Sequence, residues 1–161
     1  MLKEVTGDIL LSGAKAVCHG ISPNDDFHSG LALALRERMP AMYKDFRHYC
    51  QTRHPKPGEL WVWVSADGRQ IVNLFTQEEA YGHGSKPGRA TATYVNHALH
   101  ALRAWVLKER PSSLALPRLA TGVGGLDWES VRPLLENQLG DLDCTVYVYN
   151  VYRPGEKAVE D

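Results

Sequence analysis

Residues 116–128 read Leu116-Pro117-Arg118-Leu119-Ala120-Thr121-Gly122-Val123-Gly124-Gly125-Leu126-Asp127-Trp128, and this stretch decides the fold. A short apolar run, residues 113–116, leads in, and a helix-periodic segment, residues 127–139, leads out. Between them Gly122, Gly124 and Gly125 make a loop of small residues. Strand, glycine loop and helix start together form an anion cradle. Glycines let backbone N–H groups close around phosphate oxygens, and the helix dipole adds positive potential. No Gly-Lys-Ser/Thr follows, so the loop is not a Walker A sequence. No Gly-x-Gly-x-x-Gly occurs either, so it is not a dinucleotide fingerprint. The stretch points to phosphate binding outside the usual nucleotide folds.

The chain has 161 residues, enough for one domain with a proper core. Its net charge of −1 gives no general attraction to nucleic acid or to a membrane surface. No apolar run reaches membrane-spanning length, and Met1-Leu2-Lys3 opens no secretory signal. The three cysteines, Cys18, Cys50 and Cys144, are odd in number and far apart, which argues against a disulfide framework or a zinc site. A cytoplasmic protein, a monomer without cofactor or metal, is the expectation.

Strand and helix patterns alternate. Strands are expected at residues 2–6 and 16–19, helices at 31–38 and 42–52, with Pro40 between them. Residues 60–65 and 70–75 read as a hairpin. Residues 89–110 contain a long helix, in which Tyr94, Ala98, Ala101, Leu102 and Trp105 recur at helical spacing. Strand 113–116, helix 127–139 and strand 144–149 follow. Residues 1–152 make the domain, and residues 153–161 form a polar tail expected to fray. Such alternation predicts a three-layer α/β/α domain around a mixed, mainly parallel sheet of about six strands. In such sheets ligands sit at the carboxyl ends of strands, where the loops after residues 6, 19, 75 and 116 converge.

Four segments in order now resemble one family. They are Thr6-Gly7-Asp8-Ile9, His19-Gly20-Ile21-Ser22 running to Ser29-Gly30-Leu31-Ala32, Leu74-Phe75-Thr76-Gln77, and residues 116–128. From about Leu2 to Tyr149 the chain resembles a macrodomain, the ADP-ribose-binding module. The resemblance implies that Asp8 and Ile9 read adenine. It places His19, Ser22, Phe27, Ser29, Gly30 and Leu31 around the ribose nearest the reaction, with Phe27 as an aromatic lid. It puts Thr76 and Gln77 beside that ribose, and Leu119, Thr121, Gly122, Val123, Gly124 and Gly125 on the diphosphate. The branch it resembles holds a terminal ADP-ribose glycohydrolase, an antitoxin that removes ADP-ribose from DNA, and a fungal phosphatase of ADP-ribose 1″-phosphate. The phosphatase likeness rests on Leu74-Phe75-Thr76, Gly82-His83-Gly84 and Tyr94.

Two departures shape the expected chemistry. The lysine that the glycohydrolase and the antitoxin use falls at Gln77, whose amide can neither form a Schiff base nor attack as an amine. The glycohydrolase's catalytic aspartate falls at Gly124, and nearby Asp127 sits where a helix N-cap is wanted. Asp25, Asp26 and His28 are therefore the candidate catalytic groups, able to assist a water, or else ordinary polar loop residues. Asp8 caps a turn, reads adenine, or does both. His19 reads as hydrogen-bonded structure. Tyr147 and Tyr149 share a strand face, where one stacks on adenine or both pack the core. His97 and His100 are expected on the surface, and Trp61 and Trp63 as structural residues or part of a contact surface. The expected function is ADP-ribose binding with hydrolysis of an ADP-ribosyl ester on a protein, water attacking without a lysine. The alternatives are phosphate removal from ADP-ribose 1″-phosphate and a non-catalytic reader. The expected partner is ADP-ribose or an ADP-ribosylated protein, with nucleic acid only as an ADP-ribosylated substrate and no membrane.

Overall fold

Alternate residues of one central strand feed two separate apolar cores. In β2 (Ala16–Ile21), Ala16 and Cys18 enter one core while Val17 and Ile21 enter the other. This is the period-two geometry of a strand buried on both faces. The computed structural model describes residues 1–79 and 88–161, and residues 82–84 of the phosphatase likeness lie outside them.

The other strands are β1 (Leu2–Gly7), β3 (Leu60–Val64), β4 (Gln70–Phe75), β5 (Ser113–Pro117) and β6 (Thr145–Tyr152). They form one sheet in the order β1-β6-β5-β2-β4-β3. All neighbours are parallel except β3 and β4, the hairpin, whose turn places Gly68 at φ +88°. One face carries α3 (Ala92–Glu109) and α4 (Trp128–Leu139), with Val95, Leu99, Leu102, Val131 and Leu135 in the first core. The other carries α1 (Gly30–Arg38) and α2 (Pro40–Arg53), with Leu35, Met42, Phe46 and Cys50 in the second. The result is the expected three-layer α/β/α arrangement. No helix among the described residues is long and apolar enough to cross a membrane.

The C-terminal tail does not fray. Ala158 is buried against Gly7, where a Cβ on the glycine would lie 2.7 Å from the Ala158 nitrogen. Glu160 accepts hydrogen bonds from Ser12 Oγ (2.7 Å), the Gly13 N–H (2.8 Å) and Tyr149 Oη (2.6 Å). A polar composition hid one small apolar anchor and one carboxylate whose partners come from distant segments. Tyr147 and Tyr149 are core residues beneath this tail, so packing holds both. Trp63 donates to Asp45 Oδ2 (2.8 Å) and Trp61 stacks on Tyr49, so both tryptophans are structural as expected.

Candidate functional site

At the carboxyl ends of β2, β4 and β5 a cavity of about 320 Å³ opens between two loops. One loop, residues 22–29, joins β2 to α1. The other, residues 118–127, joins β5 to α4. Leu119, Gly122, Val123 and Gly124 line the cavity from the second loop, and Ser29, Gly30 and Leu31 line it from the start of α1. His19, Asp25, Asp26, His28 and Gln77 complete the set of expected residues found there.

The second loop is folded by its own backbone. The Gly125 N–H donates to the Gly122 carbonyl (3.1 Å) and the Leu126 N–H to the Ala120 carbonyl (2.9 Å), with Ala120 at φ +62° and Gly125 at φ +78°. Among the described residues the N–H groups of Thr121, Gly122, Val123 and Gly124 have no intramolecular acceptor. Consecutive free N–H groups of this kind form a concavity suited to anions. α1 adds to it: its N-cap residue Ser29 makes no side-chain capping bond, so the helix start keeps its orphan donors. The three glycines play different parts. Gly122 has open space where a Cβ would stand. A Cβ at Gly124 would lie 2.7 Å from the Ala120 carbonyl oxygen and 3.0 Å from Ala90 Cβ. Gly124 thus serves loop packing as well as lining. Asp127 makes no side-chain cap. Its carbonyl accepts from the N–H groups of Ser130 and Val131 instead, which corrects the expected side-chain cap.

The first loop is held by Asp25. Its Oδ1 accepts from the Phe27 N–H (2.8 Å) and its Oδ2 from Ser22 Oγ (2.9 Å). These bonds fix a backbone in which Asn24 and Phe27 take φ +60° and +56°. Burial pushes the Asp25 carboxyl above its usual range, although the bonds from Phe27 and Ser22 oppose the shift. Phe27 is fully buried, packed on Phe46 at 4.8 Å and edge-on to His19. It is not a lid, because the positive φ turns its ring down into the second core. Ser22 and Thr76 are also fully buried behind the lining, and the Thr76 hydroxyl has no hydrogen-bond partner among the described residues.

His19 lies at the cavity floor, with Nε2 2.6 Å from Asn73 Oδ1. Burial lowers its pKa to about 4, against the opposing bond to Asn73, so the ring is neutral near pH 7. The Gln77 amide donates to the Gly88 carbonyl (3.0 Å), tying β4 to the segment before α3. Asp26 and His28 stand at the mouth, with Asp26 Oδ2 and His28 Nε2 3.4 Å apart. Asp8, Ile9 and Tyr147 do not line this cavity. Asp8 Oδ1 accepts from the Leu10 N–H (3.0 Å), capping the 3-10 turn Ile9–Leu11, and Oδ2 accepts from the Gly155 N–H (2.9 Å). Thr121 and Gly125 belong to the glycine loop but are not among the residues that line the cavity. Gly20, Arg118 and Ala120 line the cavity without having been singled out in the sequence. Gly20 lies against Thr76: a Cβ there would stand 2.7 Å from Thr76 Oγ1, so a larger residue would force that side chain to shift.

No protein-family model matches the chain. Individual proteins do. It is 28% identical over 153 residues, 91% of its length, to a DNA ADP-ribosyl glycohydrolase of Mycobacterium tuberculosis, and spans 42% of that protein. It is 27% identical over 138 residues to the human ADP-ribose glycohydrolase OARD1, covering 84% of this chain and 82% of that one. The macrodomain of Thermus aquaticus DarG superposes with a TM-score of 0.81 at 27% identity, over 93% of this chain and 98% of the other. The chain belongs to the macrodomain family. In this macrodomain the glycine loop and the uncapped start of α1 face each other across the cavity, and no lysine enters the lining from the described residues.

Proposed function

We propose that this macrodomain binds ADP-ribose and hydrolyses an ADP-ribosyl linkage, with the ester to an acidic side chain of a protein as the bond it is suited to cleave. One observation carries the reading. Among the described residues four consecutive N–H groups, Thr121 to Gly124, have no acceptor, beside a cavity lined by the same loop. A diphosphate satisfies such donors, and binding energy there fixes the distal ribose for reaction. Relatives named for ADP-ribosyl hydrolysis support the same reading.

The chemistry follows from what the lining lacks. Gln77 stands where the relatives' lysine is expected, and its amide is held by Gly88. Attack therefore falls to water at the anomeric carbon. A carboxylate is a good leaving group, so an ester makes a smaller demand on acid catalysis than a glycosidic bond to a base. Leu74, Phe75 and Thr76, which suggested the phosphatase, are fully buried in β4 and at its end. The test is calorimetry with ADP-ribose, followed by parallel incubation with protein carrying glutamyl-linked ADP-ribose, with ADP-ribosylated DNA and with ADP-ribose 1″-phosphate. We expect 1:1 binding and release of ADP-ribose from the protein. Absence of any heat with ADP-ribose overturns the reading. Binding without turnover of any substrate leaves a reader.

A further inference from the structure

We propose that Asp26 and His28 form the acid–base pair of the hydrolysis, and that Asp25 is a positioning residue rather than a catalytic one. This inference rests on the hydrolase reading above and assigns its proton transfer.

The assignment comes by elimination along the cavity. The titratable lining groups among the described residues are His19, Asp25, Asp26, His28 and Arg118. His19 is buried and committed to Asn73. Asp25 is buried, and both its oxygens accept bonds from its own loop. Arg118 donates to Asn150 Oδ1 (2.9 Å) and, as a guanidinium, cannot serve as a base. Asp26 and His28 remain. The His28 side chain is 72% exposed and that of Asp26 27%, so the imidazole meets water while the carboxylate is half sheltered behind it.

The pair stands on a fixed base. The Asp26 carbonyl accepts from Arg36 Nη1 (2.9 Å), and the Arg36 guanidinium lies 4.2 Å from the centre of the Tyr43 ring. Arg47 donates to the Tyr43 hydroxyl (3.1 Å) on the same flank. Asp25 and Phe27 hold the loop from below. The charged groups facing the pair are thus Asp25 from its own loop, Arg36 from α1 and Arg47 from α2.

The step balances as follows. A water oxygen bonds to the anomeric carbon of the distal ribose. The bond from that carbon to the ester oxygen breaks, and its electron pair leaves with the carboxylate. The water's proton passes to the His28 imidazole, whose charge Asp26 balances, and then to solvent. A general base must hold a free lone pair to take the proton, so the rate should fall on the acid side of the pH profile.

The test compares the parent with His28→Ala, His28→Gln, Asp26→Asn and Asp25→Asn on a peptide carrying glutamyl-linked ADP-ribose. ADP-ribose affinity is measured beside each. Both His28 variants should lose roughly 100-fold or more in kcat, the usual size of a positioned acid–base group. Their ADP-ribose Kd should stay within about twofold, and the acid limb of the kcat profile should disappear. Asp26→Asn should lower kcat and displace that limb, whereas Asp25→Asn should raise KM and lower kcat together with the limb kept. His28 variants with the parent's kcat and pH profile overturn the pair, while intact ADP-ribose binding leaves the module reading standing. Equal losses of rate and affinity also overturn it, since they mark a binding role. A parent that binds ADP-ribose yet turns over no ester overturns it too.

Discussion

Gly122 and Gly124 stand two residues apart in one loop, yet an added side chain meets different surroundings at each. Gly122 lines the cavity and has open space where a Cβ would stand at ordinary φ, so a side chain there does not touch the fold. Gly122→Glu should fold like the parent and lose ADP-ribose affinity on the order of 100-fold or more, because its carboxylate meets the diphosphate at short range. Gly124→Ala should instead destabilise the protein by roughly 1–3 kcal/mol, since the methyl group collides with the Ala120 carbonyl and Ala90. Calorimetry and urea unfolding on both variants separate the two effects. A folded Gly122→Glu protein with parental affinity shows that the loop is only a turn. The sequence displayed all three glycines but not this division, because backbone approach distances depend on Ala90, thirty-odd residues away. His19 makes a second residue-scale expectation. Its pKa is lowered by burial from 6.5 to about 4, so the unfolded chain binds the extra proton first. The associated stability is fully present above about pH 6.5 and is lost as pH falls through about 4, at most about 3 kcal/mol. Asp25 works in the opposite sense: its raised pKa gives stability at low pH that is lost as pH rises. Comparing parent with His19→Gln by urea unfolding at pH 7 and pH 4.5 isolates the histidine. An equal loss of stability in both proteins would falsify its role.

At the scale of elements, periodicity located every strand and helix that builds the site, because two-faced burial leaves apolar residues in adjacent positions of β2, β4 and β5. The ends were less legible. β2 runs on to the buried Ile21, and β6 runs on to Val151 and Tyr152, which are exposed and carried by pairing with β1 rather than by burial. The loop before α1 was legible only as polarity. Its three acidic and imidazole groups looked equivalent in the sequence, and hydrogen bonds to Ser22 and Phe27 set Asp25 apart from Asp26 and His28. The tail was misread for a similar reason. Glu160 looks like a terminal charge, but it binds three donors, two from the loop before β2 and one from β6. Burial first, and the Glu160 carboxylate second, push the Tyr149 phenol well above its usual range, keeping it a donor. Glu160→Ala strands the buried hydroxyls of Ser12 and Tyr149 and should cost about 1–3 kcal/mol. A parental urea midpoint in that variant means that the tail is seated by Ala158 alone.

For the whole molecule, the cavity links parts that the sheet keeps on opposite faces. The loop before α1 continues into the core built by α1 and α2, while the glycine loop continues into the core built by α3 and α4. A ligand held by both loops therefore ties the two layers together across the carboxyl ends of the strands. Ligand present at a hundred times Kd stabilises the folded state by about 2.7 kcal/mol. In a chain of this length that corresponds to a rise of roughly 5–11 °C in Tm. Site and tail variants should then respond differently. Gly122→Glu should keep the ligand-free Tm of the parent and lose the rise with ADP-ribose. Glu160→Ala should begin at a lower Tm and keep the rise, because Glu160 is bonded to Ser12, Gly13 and Tyr149 and does not line the cavity. His28→Ala should keep both, as its side chain is exposed and is assigned to proton transfer rather than affinity. Differential scanning calorimetry of the four proteins, each with and without saturating ADP-ribose, reads all of these at once. A rise that survives in Gly122→Glu would place the ligand somewhere other than the glycine cradle. A rise lost in Glu160→Ala would make the tail part of the binding site, and Asp8, which the tail holds through Gly155, would be the residue that connects them.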